Sequence, residues 1–459
     1  MAADSNSSQK QREGASLVVS MVFILISSAL AVSMAATAGT NTQLASTQHR
    51  VACALADAAS GLEVQRYWLS RVRISGSTLP SAYFSTIVDA LRNELAGSNI
   101  SNITLNKNGS VSPVALDLAA EQRFTGQILM SPATPDILQL YATGGDGQVT
   151  RTIGVFFDIE PYEHPIFNFA LATKGPLNCT GNSTIRGAHT PWEANLYVES
   201  TNNSSAVLVA GDADFDGDVL ISNPTADVHF AGDVLIAGVD GQRAINDHIV
   251  TGVDSVPFPI PDTARFRRYA TGKVIDFMSD LSQDMTLTNA TIEAGTNPHF
   301  GGRLTIQGIL LVKSPNVVTF EQDVDLQGLI VAEGKVGNPG TNRIDFCGNL
   351  SSGPYPDGAE FDPIRGEVGS SMLAPGFATS FQGSFATFEG GVAASGLHFC
   401  GNVNAEIKGT IINYSESSVL IEGDAVLSFD RQGGTRIPAG FDSYRVLTYN
   451  PSSYEVFAL

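Results

Sequence analysis

From Ala15 to Ala38 the chain reads ASLVVSMVFILISSALAVSMAATA, with no charged side chain and no proline. At 1.5 Å per residue a helix of this length reaches about 36 Å, enough to cross a hydrocarbon layer of about 30 Å. It is longer than the apolar core of a signal peptide, which runs about 7–15 residues. Nor does it end cleanly, since the next charge is Arg50 and the one helix breaker before it is Gly39. The stretch therefore reads as an apolar helix that continues into a soluble one.

The continuation, NTQLASTQHRVACALADAASGLEVQRYWLSRV from Asn41 to Val72, supports this. Apolar residues fall at Leu44, Val51, Leu55, Ala58, Leu62, Leu69 and Val72, spaced in threes, fours and sevens. That is one stripe of an amphipathic helix. Arg50, Asp57, Glu63, Arg66 and Arg71 lie off it. One helix is predicted from about Ala15 to about Val72, apolar all round over 15–38 and amphipathic over 39–74. The plainer alternative is a signal anchor followed by a separate helix. The leader, residues 1–14, sets Lys10 and Arg12 against Asp4 and Glu13. Counting Lys and Arg places it in the cytoplasm, with a single pass through the inner membrane and the bulk of the chain outside.

Arg12-Glu13-Gly14 followed by Ala15-Ser16-Leu17-Val18-Val19 resembles the class III signal of type IV pilins and pseudopilins. The wording REGASLVVSMVFIL is most similar to the PilX-type minor pilins. The resemblance covers residues 1–70 and implies that a prepilin peptidase cuts between Gly14 and Ala15. It implies also that the apolar segment is kept as the packing helix of a filament, with other pilin-like subunits as partners. Major pilins carry Glu at the fifth mature position, where Val19 stands in this chain. A valine cannot pair with a neighbour's amino terminus, so the resemblance is to a minor, priming or tip component.

The chain has 46 acidic and 26 basic residues, a net charge of −20. Such a surface repels phosphate backbones, and no nucleic-acid partner is expected. The 45 glycines beside only 16% charged residues suit strands and turns. Ser81 to Gly97 reads as a second helix with the stripe Phe84, Ile87, Leu91 and Leu95, ended by Gly97. Strand-like pieces follow at 102–105, 127–130, 137–142 and 150–159, with GGDG at 144–147 as a hairpin turn. These make a small α+β head over residues 75–161.

From residue 162 to 459 the chain becomes short β-branched runs broken by Gly, Asp and Asn. FDGDVLIS at Phe215 recurs as FAGDVLIA at Phe230, and RLTIQGILLV at Arg303 as DVDLQGLIVA at Asp323. EIKGTIIN at Glu406 and VLIEGDAVLSFD at Val419 are further versions. A strand–Gly–strand phrase returning at roughly 15–20 residues is the pattern of a β-solenoid, whose rungs bury their apolar faces only by stacking. Loop insertions are expected near 241–300, with one helix from about Thr263 to Leu281, and at 351–377. The fold class is thus α+β, mainly β: a long transmembrane helix, a small head and a β-solenoid. The opening HPIFNFALATKGPLNCTGNSTIRG and the close GGTRIPAGFDSYRVLTYNPSSYEVF resemble the two ends of solenoid domains carried on PilX-type anchors.

GDADFDGD places Asp212, Asp214, Asp216 and Asp218 at alternate positions around Gly217, matching the first half of a calcium loop. The twelfth position is Asn223 rather than Glu, and the second FAGDVLI phrase lacks the acids. A polar corner is the alternative to a Ca2+ site, and no other cofactor is implied. Cys347 and Cys400 each lie in FCGN, and an oxidising compartment permits a bridge between them. Free thiols are the alternative, and Cys53 reads as unpaired. The seven histidines show no metal spacing, and no nucleophile or phosphate-loop motif appears.

The function expected is non-enzymatic: a membrane-anchored pilin-like subunit in assembly, priming or tip adhesion, its solenoid meeting a surface or polysaccharide ligand. The alternative is a single-pass extracytoplasmic carbohydrate-binding or carbohydrate-active β-helix protein. A bactofilin-like polymer is a third reading, opposed by the span.

Overall fold

The computed structural model describes residues 7–76, 78–98, 102–117, 122–145, 148–200, 205–384, 387–432, 437–442 and 444–458. The apolar run and its continuation form one helix, α1 (Ser7–Leu69), about 95 Å long at 1.5 Å per residue. The chain divides into two units, residues 1–160 with 445–459, and residues 161–444.

In the first unit α1 changes character near Val51. Every residue from Ser16 to Arg50 is exposed, Leu44 included, and burial begins at Ala54. Of the rest of the predicted stripe, Ala58, Leu62, Leu69 and Val72 join the core, Leu55 packs against it and Val51 is half-buried. Asp57, expected off the stripe, is buried with it. After β1 (Ile74–Ser75), α2 (Tyr83–Gly97) buries Tyr83, Ile87, Val88 and Leu91. Four antiparallel strands follow: β2 (Ser110–Asp117), β3 (Gln122–Met130), β4 (Ile137–Gly145) and β5 (Thr150–Pro161). Residues 102–105 contribute only the isolated bridge Leu105–Val111. Asp146 and Gly147 of the predicted GGDG turn lie outside the described residues. The helix seats closely on the sheet because Gly144 has no side chain: a Cβ there would stand 2.2 Å from the backbone nitrogen of Ala58.

The sheet order is β1, then Tyr444–Ala458, then β5, β4, β3 and β2. This corrects the boundary read from sequence, which left 445–459 in the solenoid. The last strand fills the gap between β1 and β5, burying Leu447 and setting Tyr449 5.7 Å from Phe157. Without it β5 would present an open edge.

The second unit winds through three sheets, almost wholly parallel. Its first turn is β6 (Leu171–Thr173), β7 (Leu177–Thr180) and β8 (Ser183–Gly187), one strand in each sheet. The next turns lay Leu196–Val198 on β6, Ser205–Ala210 on β7 and Ala213–Phe215 on β8. Inward apolar residues of the three sheets stack into one core, while strands such as Gly369–Ala374 are buried on both faces and send Leu373, Leu311 and Ile412 into a second cluster outside it. Phe300, Phe320, Phe346, Phe381 and Phe399 form a ladder with ring centroids 5.0–5.4 Å apart.

The repeats pair in two ways. Leu304–Val312 lies on Val324–Ala332 residue for residue, Gly308 on Gly328, as the twenty-residue phrase predicts. Gly308 has φ +78° at this bend, where a Cβ would meet Asn289 Oδ1. FDGDVLIS and FAGDVLIA do not stack as copies: Ala213–Phe215 pairs with Val234–Ile236, one sheet further round. The composition of a strand phrase sets its inward face but not which neighbour it meets.

The order of winding is the main departure from a simple reading. The turns run from β6 to Ile249–Thr251 at one edge, with α3 (Gly241–His248) beside it. The chain then runs outside over 252–273 and restarts at the opposite edge with Val274–Ile275. It winds back until Ile411–Asn413 lies on β6, Val419–Glu422 on β7 and Ala425–Phe429 on β8. Of the expected insertion at 241–300, residues 252–273 do lie outside the winding, whereas Met285–Ile292 is a core strand. The helix expected over 263–281 is a short 3-10 turn, Ala264–Tyr269, which buries Phe266. In the 351–377 excursion, 354–368 loops out while Phe361 and Ile364 stay buried and Gly369–Ala374 rejoins the core.

Candidate functional site

Two features stand apart from ordinary core packing, and the first is the amino-terminal half of α1. Leu17, Phe23, Ile24, Leu25, Val32 and Met34 are each more than half exposed and point to every side of the helix. The helix from Ser16 to Leu69 is long and apolar enough to cross a membrane. Water solvates such a surface poorly, so it calls for lipid or for other helices. Gly14 and Ala15 lie on helical backbone within α1.

The second is the seam where the two arms of the winding meet. Glu193 is fully buried there, on the short turn Pro191–Ala194. Its Oε2 accepts the backbone N–H of His189 and Thr190 at 2.7 and 2.9 Å. Its Oε1 accepts those of Arg431 and Gln432 at 3.1 and 3.2 Å. Burial alone would push this carboxyl up, but the four backbone bonds outweigh it and hold the acid below its ordinary range. Sequence reading missed Glu193. Thr190-Pro191-Trp192-Glu193 is a capping-box signature, but its partners at 431–432 lie 238 residues away or more.

Ligand atoms of His189, Glu193 and Asp430 lie within 4.8 Å of one another. Both Glu193 oxygens are engaged by amides, so the group reads as a structural lock rather than a cation site. The aspartates singled out in the sequence are not brought together. Asp214 faces outward from the strand whose Ala213 and Phe215 face inward. Asp212 accepts the Asp233 amide at 3.2 Å, Asp216 the Gly187 amide at 3.1 Å, and Asp218 Oδ1 is 2.8 Å from His248 Nδ1. Asp214 lies on the strand Ala213–Phe215 while Asp216 and Asp218 flank Gly217 at the bend before Val219, so the carboxylates reach different neighbours, whereas a calcium loop curls them onto one point.

Cys347 and Cys400 are free thiols. Phe346 pairs with Phe381 and Phe381 with Phe399, so one strand stands between the two cysteines. Two strand spacings are about 9.6 Å, beyond the roughly 7 Å across which a disulfide closes. Burial foremost raises both thiols above their ordinary range. In a cleft of about 820 Å³ the carboxylates are likewise engaged, Asp325 by Gln327 and Ser351, Glu367 by Arg265, Glu389 by Lys408.

No family model matches the chain, and no curated protein matches it. Among solved structures, the competence-associated pilin ComZ from Thermus thermophilus is 15% identical, over 89% of this chain and 98% of its own, with a TM-score of 0.27. An ice binding protein from an Antarctic Biological Consortium is 12% identical, over 60% of this chain and 94% of its own, with a TM-score of 0.17. At these scores neither likeness carries a fold or a role to this chain.

Proposed function

We propose that this chain is a non-enzymatic, pilin-like subunit of a type IV pilus or pseudopilus-like system. In this reading the prepilin peptidase removes residues 1–14, and α1 is held in the inner membrane with its amino terminus in the cytoplasm. The helix then passes from lipid into a bundle of sister helices. The hydrophobic gain is similar in either setting, so the transfer is feasible. The second unit is a β-solenoid displayed outside, in a priming or tip role.

One observation carries the reading. The exposed apolar half of α1 is continuous with a half that packs into the first unit's own sheet. A cleavable signal peptide has no need to be one rigid rod with the folded head. The reading is tested by the mature amino-terminal sequence in cells with and without the peptidase. A start at Ala15 with Gly14→Ala blocking the mobility shift supports it. A start downstream of Thr40, or Met1 retained beside an active peptidase, favours the alternative of a membrane-anchored carbohydrate-binding β-helix protein.

A further inference from the structure

The seam held by Glu193 frames a cleft of about 400 Å³, all of whose lining residues lie within 161–444. That volume suits a small ligand, within the range of about 300–1,000 Å³. Trp192 lines it from the short turn that the Thr190–Glu193 capping pair fixes, and its side chain is 49% exposed. The Arg431 guanidinium sits 5.2 Å from the indole centre and also donates to the carbonyls of Phe167 and Asn168. His164 lines the same cleft. It is 8% exposed, and its Nε2 is buried without a hydrogen-bond partner. The ring is wedged edge-on at 4.7 Å from Tyr162 and 6.2 Å from Phe167, and burial lowers its pKa, so it is neutral at pH 7. Asn168, Thr410 and Gln432 complete the wall, with no side-chain hydrogen bond among the described residues.

The His164 nitrogen is sealed from the cleft, and what the cleft itself presents is the Thr410 hydroxyl and the exposed amides of Asn168 and Gln432, beside a half-exposed indole. The lining is neutral and able both to donate and to accept, except for Glu163 and the already engaged Arg431. Hydroxyl groups have that same double character, and an indole packs against the C–H face of a sugar ring. Glu163 disfavours an anionic ligand. We infer that this cleft binds a neutral sugar unit, with Asn168, Thr410 and Gln432 taking its hydroxyls and Trp192 its ring. The inference goes beyond the assembly role and does not depend on it.

The chain has two tryptophans, so Trp68→Phe leaves Trp192 as the sole indole reporter. The test titrates that full-length variant, in a detergent without a sugar headgroup, with maltose, cellobiose and N,N′-diacetylchitobiose. A saturable emission change is expected with at least one of them, and none with galacturonate. Asn168→Ala or Gln432→Ala should weaken half-saturation roughly tenfold while circular dichroism and melting stay unchanged. No saturable change with any neutral sugar overturns the inference. So does a change that survives both substitutions, or one of equal size with galacturonate.

Discussion

Asn413 Nδ2 donates to Thr173 Oγ1 at 2.9 Å, joining two residues 240 apart in sequence inside the core of the second unit. The same side chain reaches the carbonyls of Ser415 and Ser417, and its Oδ1 accepts the Gly396 and Ser415 amides. It is fully buried, and it lies where the arm that winds last closes onto the arm that winds first.

Replacing Asn413 by Leu should therefore strand several buried polar groups at once. A loss of about 2–4 kcal/mol is expected for the second unit. Urea denaturation compared with the parent chain measures it. A loss under about 1 kcal/mol would mean that the seam does not depend on this side chain.

Glu193 gives the seam a pH dependence. Its carboxyl is depressed in the fold relative to an ordinary value of about 4.3. Its contribution is thus fully present above about pH 4.3 and disappears as the pH falls through the lower folded value. Glu193→Gln keeps the shape but sets an NH2 against two backbone donors. It should cost about 2–4 kcal/mol at pH 7 and flatten the acid limb of the stability profile. Parallel limbs for parent and variant would refute the assignment.

The phenylalanine ladder offers a test of the core. Phe346 is buried and stacks at 5.0 Å on Phe320 and 5.4 Å on Phe381. Phe346→Ala should cost about 3–5 kcal/mol, and Phe346→Leu clearly less. Calorimetry should place the loss in the second unit's transition alone.

Gly144→Ala tests the first unit. The new methyl would stand 2.2 Å from Ala58 N, on helix backbone that cannot swing aside. An overpacking cost of about 1–3 kcal/mol is expected, confined to the first unit and read by hydrogen exchange of α2 and β4 amides. Unchanged protection would show that α1 rides further from the sheet.

Residues 16–50 contribute no buried side chain, whereas the first unit's core begins near Ala54. A chain lacking residues 1–44 should then remain monodisperse without detergent and keep its β signal by circular dichroism. The full chain should aggregate once detergent is removed. Sedimentation velocity distinguishes the two, and aggregation of the truncated chain would place a second apolar surface elsewhere.

Much of this was legible locally. The run from Ala15 to Ala38 and the stripe through Leu62 and Leu69 announced a single helix, because helical periodicity is a short-range property. The Gly308 and Gly328 phrases announced their own stacking for a similar reason: each sets apolar residues around a shared Gln-Gly pair, twenty residues apart. The acidic run Asp212–Asp218 left a polar corner and a cation loop both open, because aspartates around a glycine suit either, and the structure gives Asp212, Asp216 and Asp218 separate partners. The paired FCGN phrases misled, because similar context does not place two cysteines on adjacent strands.

The chain by itself determined the long helix, α2 and the strand-rich character of the rest, since those follow from spacing and side-chain chemistry, though not the helix expected over 263–281. Only the tertiary structure decided that the winding starts in the middle, leaves at Thr251, restarts at Val274 and closes Asn413 on Thr173. It alone also carried Tyr444–Ala458 back to the first unit's sheet. Parallel strands with alternating Val, Ile and Leu are chemically interchangeable as neighbours. Buried polar contacts tie the two arms together, Glu193 to the amides of Arg431 and Gln432 and Asn413 to Thr173, and these long-range partners leave no local trace.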